Sequence, residues 1–309
     1  MRAVSVLLAG IVLGTAAAHA ATEYEQAFAA YQKGDYPLAL KLLKPLAEKG
    51  NVNAEYNVGV MYNTALGVKN DYAEAARWFK LAAGQGNMYA EVDLGKLYES
   101  GRGVPKDYKE AVRLFRLASA KRSPAAELEL GSMYERGIGL TQDYKESAKW
   151  YRLSADQGDG DAQYNLALMY TQGHGVPQDI RQAVGWYKKS AEQGNSSAQL
   201  NLGAMYYSGQ GVTKDPKQAL KYFQLSAQQG NGRAQFNLAT LYTQGDGIQQ
   251  DLPRALIWFA AAAANLSGNE AKTADENSRA VAAKMTPAQR AAAKEMGSKC
   301  RVGDYRACD

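Results

Sequence analysis

Cysteine and histidine are scarce in this chain of 309 residues, which holds two of each. Both cysteines, Cys300 and Cys308, lie in the tail, so the body of the chain lacks the Cys/His clusters of a structural metal site. Long apolar runs are missing too. Beyond the N-terminal segment no stretch reaches about 18 uninterrupted apolar residues, which excludes a stable membrane-spanning helix. Strong charge bias is also absent: the formal net charge is +5. That permits anionic partners without the dense basic patch of a nucleic-acid binder. No Ser or Cys stands in a local nucleophile signature. With 46% hydrophobic and 22% charged residues, the composition is that of an ordinary folded soluble chain.

Residues 1–20 read as a targeting segment. Arg2 gives the positive start, residues 4–13 the apolar core, and Ala18-His19-Ala20 a small-x-small cleavage site before Ala21. The apolar run is short for an uncleaved anchor, and no Cys marks a lipoprotein site. The expectation is an exported protein, periplasmic or secreted, with a mature chain from Ala21. In an oxidising compartment Cys300 and Cys308 read as a disulfide closing a small loop, the alternatives being free thiols or a metal site.

The body of the chain repeats. Residues 51–86 recur with a 36-residue shift, five more times. Gly59 returns as Gly95, Gly131, Ala167, Gly203 and Ala239, and Tyr62 as Tyr98, Tyr134, Tyr170, Tyr206 and Tyr242. Asp71 returns as Asp107, Asp143, Asp179, Asp215 and Asp251. Such a period is the signature of a solenoid. Within a unit, Ala54, Val58, Met61 and Tyr62 make one helical stripe, and Ala75, Ala76, Phe79 and Ala83 a second. Between them a Gly-x-Gly turn leads to Asp71 and its copies, placed to cap the second helix. Gln85-Gly86-Asn87 ends it. The fold class expected is all-α, an α/α solenoid of helix-turn-helix repeats. Residues 21–50 read as a degenerate N-terminal capping hairpin like a tetratricopeptide unit, and 51–266 as six repeats. Residues 267–309 read as a C-terminal helical cap and disulfide tail. There, 269–277 is polar, and 279–284 and 287–296 are expected as short helices, with stacking ending near Leu266.

The segments Ala-Gln-Tyr-Asn-Leu-Ala-Leu-Met-Tyr (162–170), Gly173-x-Gly-Val-Pro-Gln-Asp179, Ala183, Trp186-Tyr187 and Ala191-Glu-Gln-Gly-Asn195 resemble Sel1-like repeats. These are related to tetratricopeptide repeats but have a longer internal turn. The resemblance spans about 51–266 plus the half unit before it. It implies a scaffold whose partners differ from case to case. Exported bacterial members of the family are associated with envelope regulation, exopolysaccharide assembly and host interaction. Cysteine-rich members carry a disulfide in every repeat; this chain lacks those cysteines, so their penicillin-binding or β-lactamase leanings do not carry over.

Catalysis and cofactors are not expected. The Gly-x-Gly turn follows a helix, lacks a third Gly and a Lys-Ser/Thr ending, and recurs. His174 occupies one copy of that turn, without a partner ligand nearby in sequence. The Asp column is explained by capping. A binding surface is expected instead where first-helix columns vary between units, on the concave face by analogy with related solenoids. One such column is Val60, Lys96, Ser132, Leu168, Ala204 and Thr240. The other is Asn63, Glu99, Glu135, Thr171, Tyr207 and Thr243. The candidate partner contacts are Lys96, Glu99, Glu135, Thr171, Tyr207 and Thr243, with Glu99, Glu135 and Tyr207 preferred. A solvated face free to drift gives the same pattern. A basic stripe on the second helices, with Arg77, Arg113 and Lys149, either covers apolar surface or meets acidic lipids or anionic glycans. The function expected is a non-catalytic periplasmic adaptor binding an envelope protein, in envelope regulation or assembly. The alternative is a polysaccharide- or peptidoglycan-binding component of polysaccharide export or cell-wall maintenance.

Overall fold

A computed structural model describes residues 15–300 and 305–308. Most of the expected targeting segment, residues 1–14, therefore lies outside the described residues, as do 301–304 and 309 of the tail. The chain forms two compact units, Met1–Gln142 and Asp143–Asp309.

In the first unit seven helices follow one another: α1 (Thr15–Gln32), α2 (Tyr36–Glu48), α3 (Val52–Thr64), α4 (Tyr72–Gly84), α5 (Met88–Ser100), α6 (Tyr108–Ala120) and α7 (Pro124–Arg136). Each packs on the next. The second unit continues the pattern with α8 (Tyr144–Asp156), α9 (Gly160–Gln172), α10 (Ile180–Glu192), α11 (Ser196–Ser208), α12 (Pro216–Ala227), α13 (Gly232–Gln244) and α14 (Leu252–Asn265). It ends with α15 (Gly268–Lys284), α16 (Pro287–Lys299) and a 3₁₀ turn, Tyr305–Cys308. The fold is an all-α repeat solenoid, and no strand occurs among the described residues.

The repeated polar residues explain the repeated geometry. Asp71 accepts from the N–H groups of Ala73 and Glu74 at 3.0 Å, and its copies cap α6, α8, α10, α12 and α14 the same way. Its own N–H closes the turn onto the Tyr62 carbonyl at 3.1 Å. Gln85-Gly86-Asn87 divides three tasks among three residues. Gln85 reaches back into the hairpin, Gly86 takes φ +85°, and Asn87 caps α5. In the third repeat Lys121-Arg122-Ser123 keeps the same turn. Arg122 adopts the left-handed conformation (φ +62°) and Ser123 caps α7. The strain at Arg122 costs about 1 kcal/mol.

Two glycine columns do different work. A Cβ on Gly59 would stand 2.6 Å from the Phe79 ring, and one on Gly95 at the same distance from Phe115. The small residue therefore lets the second helix of its own hairpin approach, by making room for that helix's aromatic ring. The second turn glycine is more constrained. A Cβ on Gly103 would fall 2.1 Å from the Tyr72 carbonyl oxygen, at φ +69°. Here the turn of one repeat presses on the start of α4 in the repeat before it.

The core is a series of layers. In the first unit Leu43, Leu46, Val58, Met61 and Trp78 form one cluster and Phe79, Leu94, Leu97 and Leu114 the next. Each fully buried large side chain contributes roughly 1.5–3 kcal/mol. In the second unit the last layer gathers Trp258, Phe259, Val281, Met285 and Tyr305.

The C-terminal region departs from expectation. The polar stretch 269–277 is helical, part of the continuous α15, and stacking continues past Leu266 because α15 packs on α14. Two small apolar residues suffice to dock it: Ala274 and Val281 are buried while its remaining faces are polar. The break at Thr286-Pro287 is present, with Thr286 and Gln289 in a reciprocal capping box. Cys300 and Cys308 are disulfide-bonded.

Candidate functional site

The first helices of the repeats carry the variable columns, and the two units differ sharply there. In the first unit this face is charged. Lys96 lies 3.1 Å from Glu129, and Glu99 lies 3.5 Å from Arg136. Burial and the nearby Glu129 raise the Glu99 pKa above the usual carboxylate range. The structure thus joins two predicted residues, Lys96 and Glu99, in one network with Glu129 and Arg136. Glu135 lies on the same helix as both of those partners.

In the second unit the face is neutral. Between α9, α11 and α13 lies an open groove of about 500 Å³, lined by Leu168, Thr171, Ala204, Tyr207 and Thr240, with Tyr187 and Phe223 behind. No charged side chain lines it. A second depression of about 530 Å³ adjoins it across Asn201, Ala204 and Asn237, and adds Leu200 and Phe236. Its rim carries Arg233 and Glu270, paired at 2.9 Å.

Polar groups within the groove are partly committed. Thr171 donates to its own helix at Ala167, 2.9 Å, and Thr240 to Phe236, 2.9 Å; Thr243, outside the groove lining, does the same to Ala239 at 2.8 Å. Their hydroxyl protons are used in this way, while each oxygen keeps acceptor capacity. Tyr207 bonds Gln244 through its hydroxyl at 2.8 Å, and Lys214 sits 5.6 Å from its ring centre. Asn201 hydrogen-bonds the Tyr187 hydroxyl from the groove floor.

The basic stripe is neutralised where it stands. Arg77, Arg113 and Lys149 each pair with the glutamate three residues earlier, Glu74, Glu110 and Glu146. Lys80 lies over Tyr98, and Arg152 over Tyr170 and Trp186. These contacts fit side chains that cover apolar surface. His174 stacks on Tyr144 with ring centres 4.9 Å apart. Among the described residues no three His, Cys, Asp or Glu side chains converge to hold a metal. No described helix is long and apolar enough to cross a membrane.

Two features escaped the sequence reading. One is an aromatic cavity in the first unit, formed where α1 meets α3 and α5. The other is a buried polar column: Glu55, Glu91, Glu127, Gln163, Gln199 and Gln235, all at most 4% exposed. Gln163 accepts from Gln193 at 2.8 Å and donates to the Ala155 carbonyl of the preceding repeat at 3.1 Å. Gln199 and Gln235 do the same with Gln229 and Asn265. The signal was a column of one chemical kind at every unit, in a helix whose variable columns drew attention instead.

The Sel1 repeat family model matches residues 16–51, 52–87, 89–123, 124–159, 160–195, 196–231 and 232–265. The first match includes the segment expected as a degenerate cap. Among solved structures, a protective antigen present in uropathogenic Escherichia coli strains, with an SLR fold, is 36% identical with a TM-score of 0.72. That likeness covers 91% of this chain and 60% of the other, so this chain spans less than two thirds of that protein. A Sel1 repeat protein from Oxalobacter formigenes is 33% identical, TM-score 0.69, covering 78% of this chain and 96% of the other. No curated protein matches significantly. These likenesses extend over nearly all of the repeat array, and the chain belongs to the Sel1 repeat family, whose members are generally non-catalytic protein-interaction scaffolds.

Proposed function

We propose that this protein is an exported, non-catalytic adaptor that binds a protein partner along the first-helix face of its second unit. The observation that carries the reading is the pair of adjoining depressions between α9, α11, α13 and α15, apolar at Leu168, Leu200 and Phe236 and free of unpaired charge. A surface of this kind suits an extended, uncharged segment. Asn201 and Asn237 offer carboxamides, and Tyr207 is a rigid anchor at the edge. The proposed docking surface leaves out the charged first-unit face of Lys96, Glu99 and Glu135, where Lys96 and Glu99 are already paired with Glu129 and Arg136.

Export rests on the basic, apolar, small-x-small pattern of residues 1–20 and on the Cys300–Cys308 disulfide, which belongs in an oxidising compartment. A role in envelope regulation or assembly follows from those two features taken with the family. Crosslinked capture from envelope extract tests the reading. Ala204 is exposed and borders both depressions, so Ala204→Arg fills the groove without touching the core. The same protein should be recovered with wild type and with Glu99→Ala/Glu135→Ala, and lost with Ala204→Arg and Tyr207→Ala. Equal recovery by Ala204→Arg overturns the groove as the docking surface, and recovery from the cytoplasmic fraction alone overturns export.

A further inference from the structure

The first unit contains a cavity that the partner groove does not use. It has a volume of about 90 Å³ and lies where α1, α3 and the start of α5 meet. Five aromatic side chains wall it: Tyr24, Phe28, Tyr31, Tyr56 and Tyr89. Tyr56 and Tyr89 sit with ring centres 5.9 Å apart, tilted by 38°. Asn57 steadies another wall, donating to the Tyr24 hydroxyl at 2.6 Å and to the Asn53 carbonyl at 2.9 Å. We infer that this cavity is a binding site for an alkylated ammonium group.

Two independent observations give the sign of the ligand. The first is the rings themselves, whose faces are negative and attract a cation placed among them. Tyr56 is better suited than an ordinary tyrosine. Its hydroxyl donates to Asp93 Oδ2 at 3.1 Å, which moves electron density toward the ring. The second is the surrounding charge. Helices α1 and α3 carry Glu23, Glu25 and Glu55 and not one lysine or arginine. Helix α2, which lends Leu43 to the wall, adds Lys41 and Lys44 against Glu48, so acids still outnumber bases. On α5 the single base is Lys96, held 3.1 Å from Glu129. Asp93, behind the Tyr56 ring, makes no ion pair among the described residues; burial raises its pKa, with Lys96 and the Tyr56 bond opposing.

An anion would meet this field unfavourably, and a neutral apolar group would gain nothing from it. A compact cation satisfies both walls and field. The size fits a methylated head group rather than a helix or a folded loop. Such a group is carried by choline-type molecules and by methylated lysine on a protein, and the cavity chemistry is the same for both. The site stands or falls independently of the second-unit groove.

The test is calorimetric titration of the whole chain with choline, with 3,3-dimethyl-1-butanol as its uncharged isostere. Choline should bind saturably and the isostere at least about tenfold more weakly, the size expected for desolvated cation–ring contacts. Tyr56→Phe keeps the ring but loses the bond to Asp93, and should weaken choline by several-fold, as should Asp93→Asn. Tyr24→Ala should abolish binding, with thermal melts confirming that each variant is folded. A trimethyl-lysine peptide and phosphatidylcholine vesicles distinguish the sources, and tighter binding of either supports the site. Equal binding of choline and its isostere, no ammonium binding at all, or binding indifferent to the cavity variants each overturns it.

Discussion

Gln193 donates to Gln163 Oε1 at 2.8 Å, and Gln163 in turn donates to the carbonyl of Ala155 at 3.1 Å. One carboxamide, accepting on one side and donating on the other, stitches each hairpin of the second unit to the one before it. In the first unit the column is glutamate, and a carboxylate can only accept. Glu55 accepts from Gln85 at 2.8 Å and has no proton to offer backwards.

Glu55→Gln is therefore expected to stabilise the first unit at neutral pH, by about 1 kcal/mol, the size of one buried hydrogen bond. Burial raises the Glu55 pKa above its ordinary 4.5, with the Gln85 bond opposing. The folded state thus binds the proton more tightly than the unfolded state, so wild-type stability rises as pH falls through the raised folded pKa. The full gain is present below about 4.5, and it is lost as pH climbs through the raised value. Melting temperatures of wild type and Glu55→Gln should differ at pH 7 and converge toward pH 4. A constant difference across that range would contradict the assignment.

Alanine substitutions should separate the turn glycines. Gly50 has φ +84° with nothing near the position of a Cβ, so Gly50→Ala carries only the left-handed strain, about 1 kcal/mol. At Gly103 the same strain is joined by a 2.1 Å approach to the Tyr72 carbonyl. Gly103→Ala is expected to cost about 3 kcal/mol. Denaturant midpoints should show the larger loss at Gly103; equal losses would mean that the turn can shift away from α4.

The disulfide should act locally. It closes a short loop, worth about 2.5 kcal/mol in chain entropy, and it seats the 3₁₀ turn. Tyr305 accepts from Asn265 at 2.6 Å and stands 6.3 Å from the Trp258 ring, while Cys308 is fully buried. Under mild reduction, hydrogen exchange is expected to rise in α14 and α16 and to stay unchanged in α1–α7. Increased exchange throughout the first unit would show that the tail supports more than its own end of the array.

The repeat, the caps and the breaks were legible because they are local: Asp71, Asn87 and Thr286 do their work within a few residues of themselves. Five of the residues that line the groove, Leu168, Thr171, Ala204, Tyr207 and Thr240, belong to the variable columns. Its chemistry was less legible. Of the three preferred contacts, Tyr207 lines the groove, whereas Glu99 is paired with Arg136 and no charged side chain lines the groove. Only the second half of α15 was legible, as the helix expected over 279–284; its polar first half gave one buried residue, Ala274, to betray that it docks on α14. The aromatic cavity needed three separate helices to be brought together, and Glu55 and Gln163 look like solvated residues until the hairpins stack.

The most stringent test of the buried column lies at Glu91. It is 2% exposed; Lys121 reaches it at 2.5 Å from a partly exposed position, and Glu91 Oε2 is buried without a partner. Removing the cation alone strands a buried carboxylate, so Lys121→Met should destabilise the first unit by about 3 kcal/mol. The pair Glu91→Gln/Lys121→Gln instead reproduces the geometry of Gln163 and Gln193. Its neutral amide could reach the Ala83 carbonyl, the counterpart of Ala155. The double variant is expected to match or exceed wild type in its denaturation midpoint. If it falls as low as Lys121→Met, the glutamate column of the first unit is not interchangeable with the glutamine column of the second. The charge itself would then hold those hairpins together.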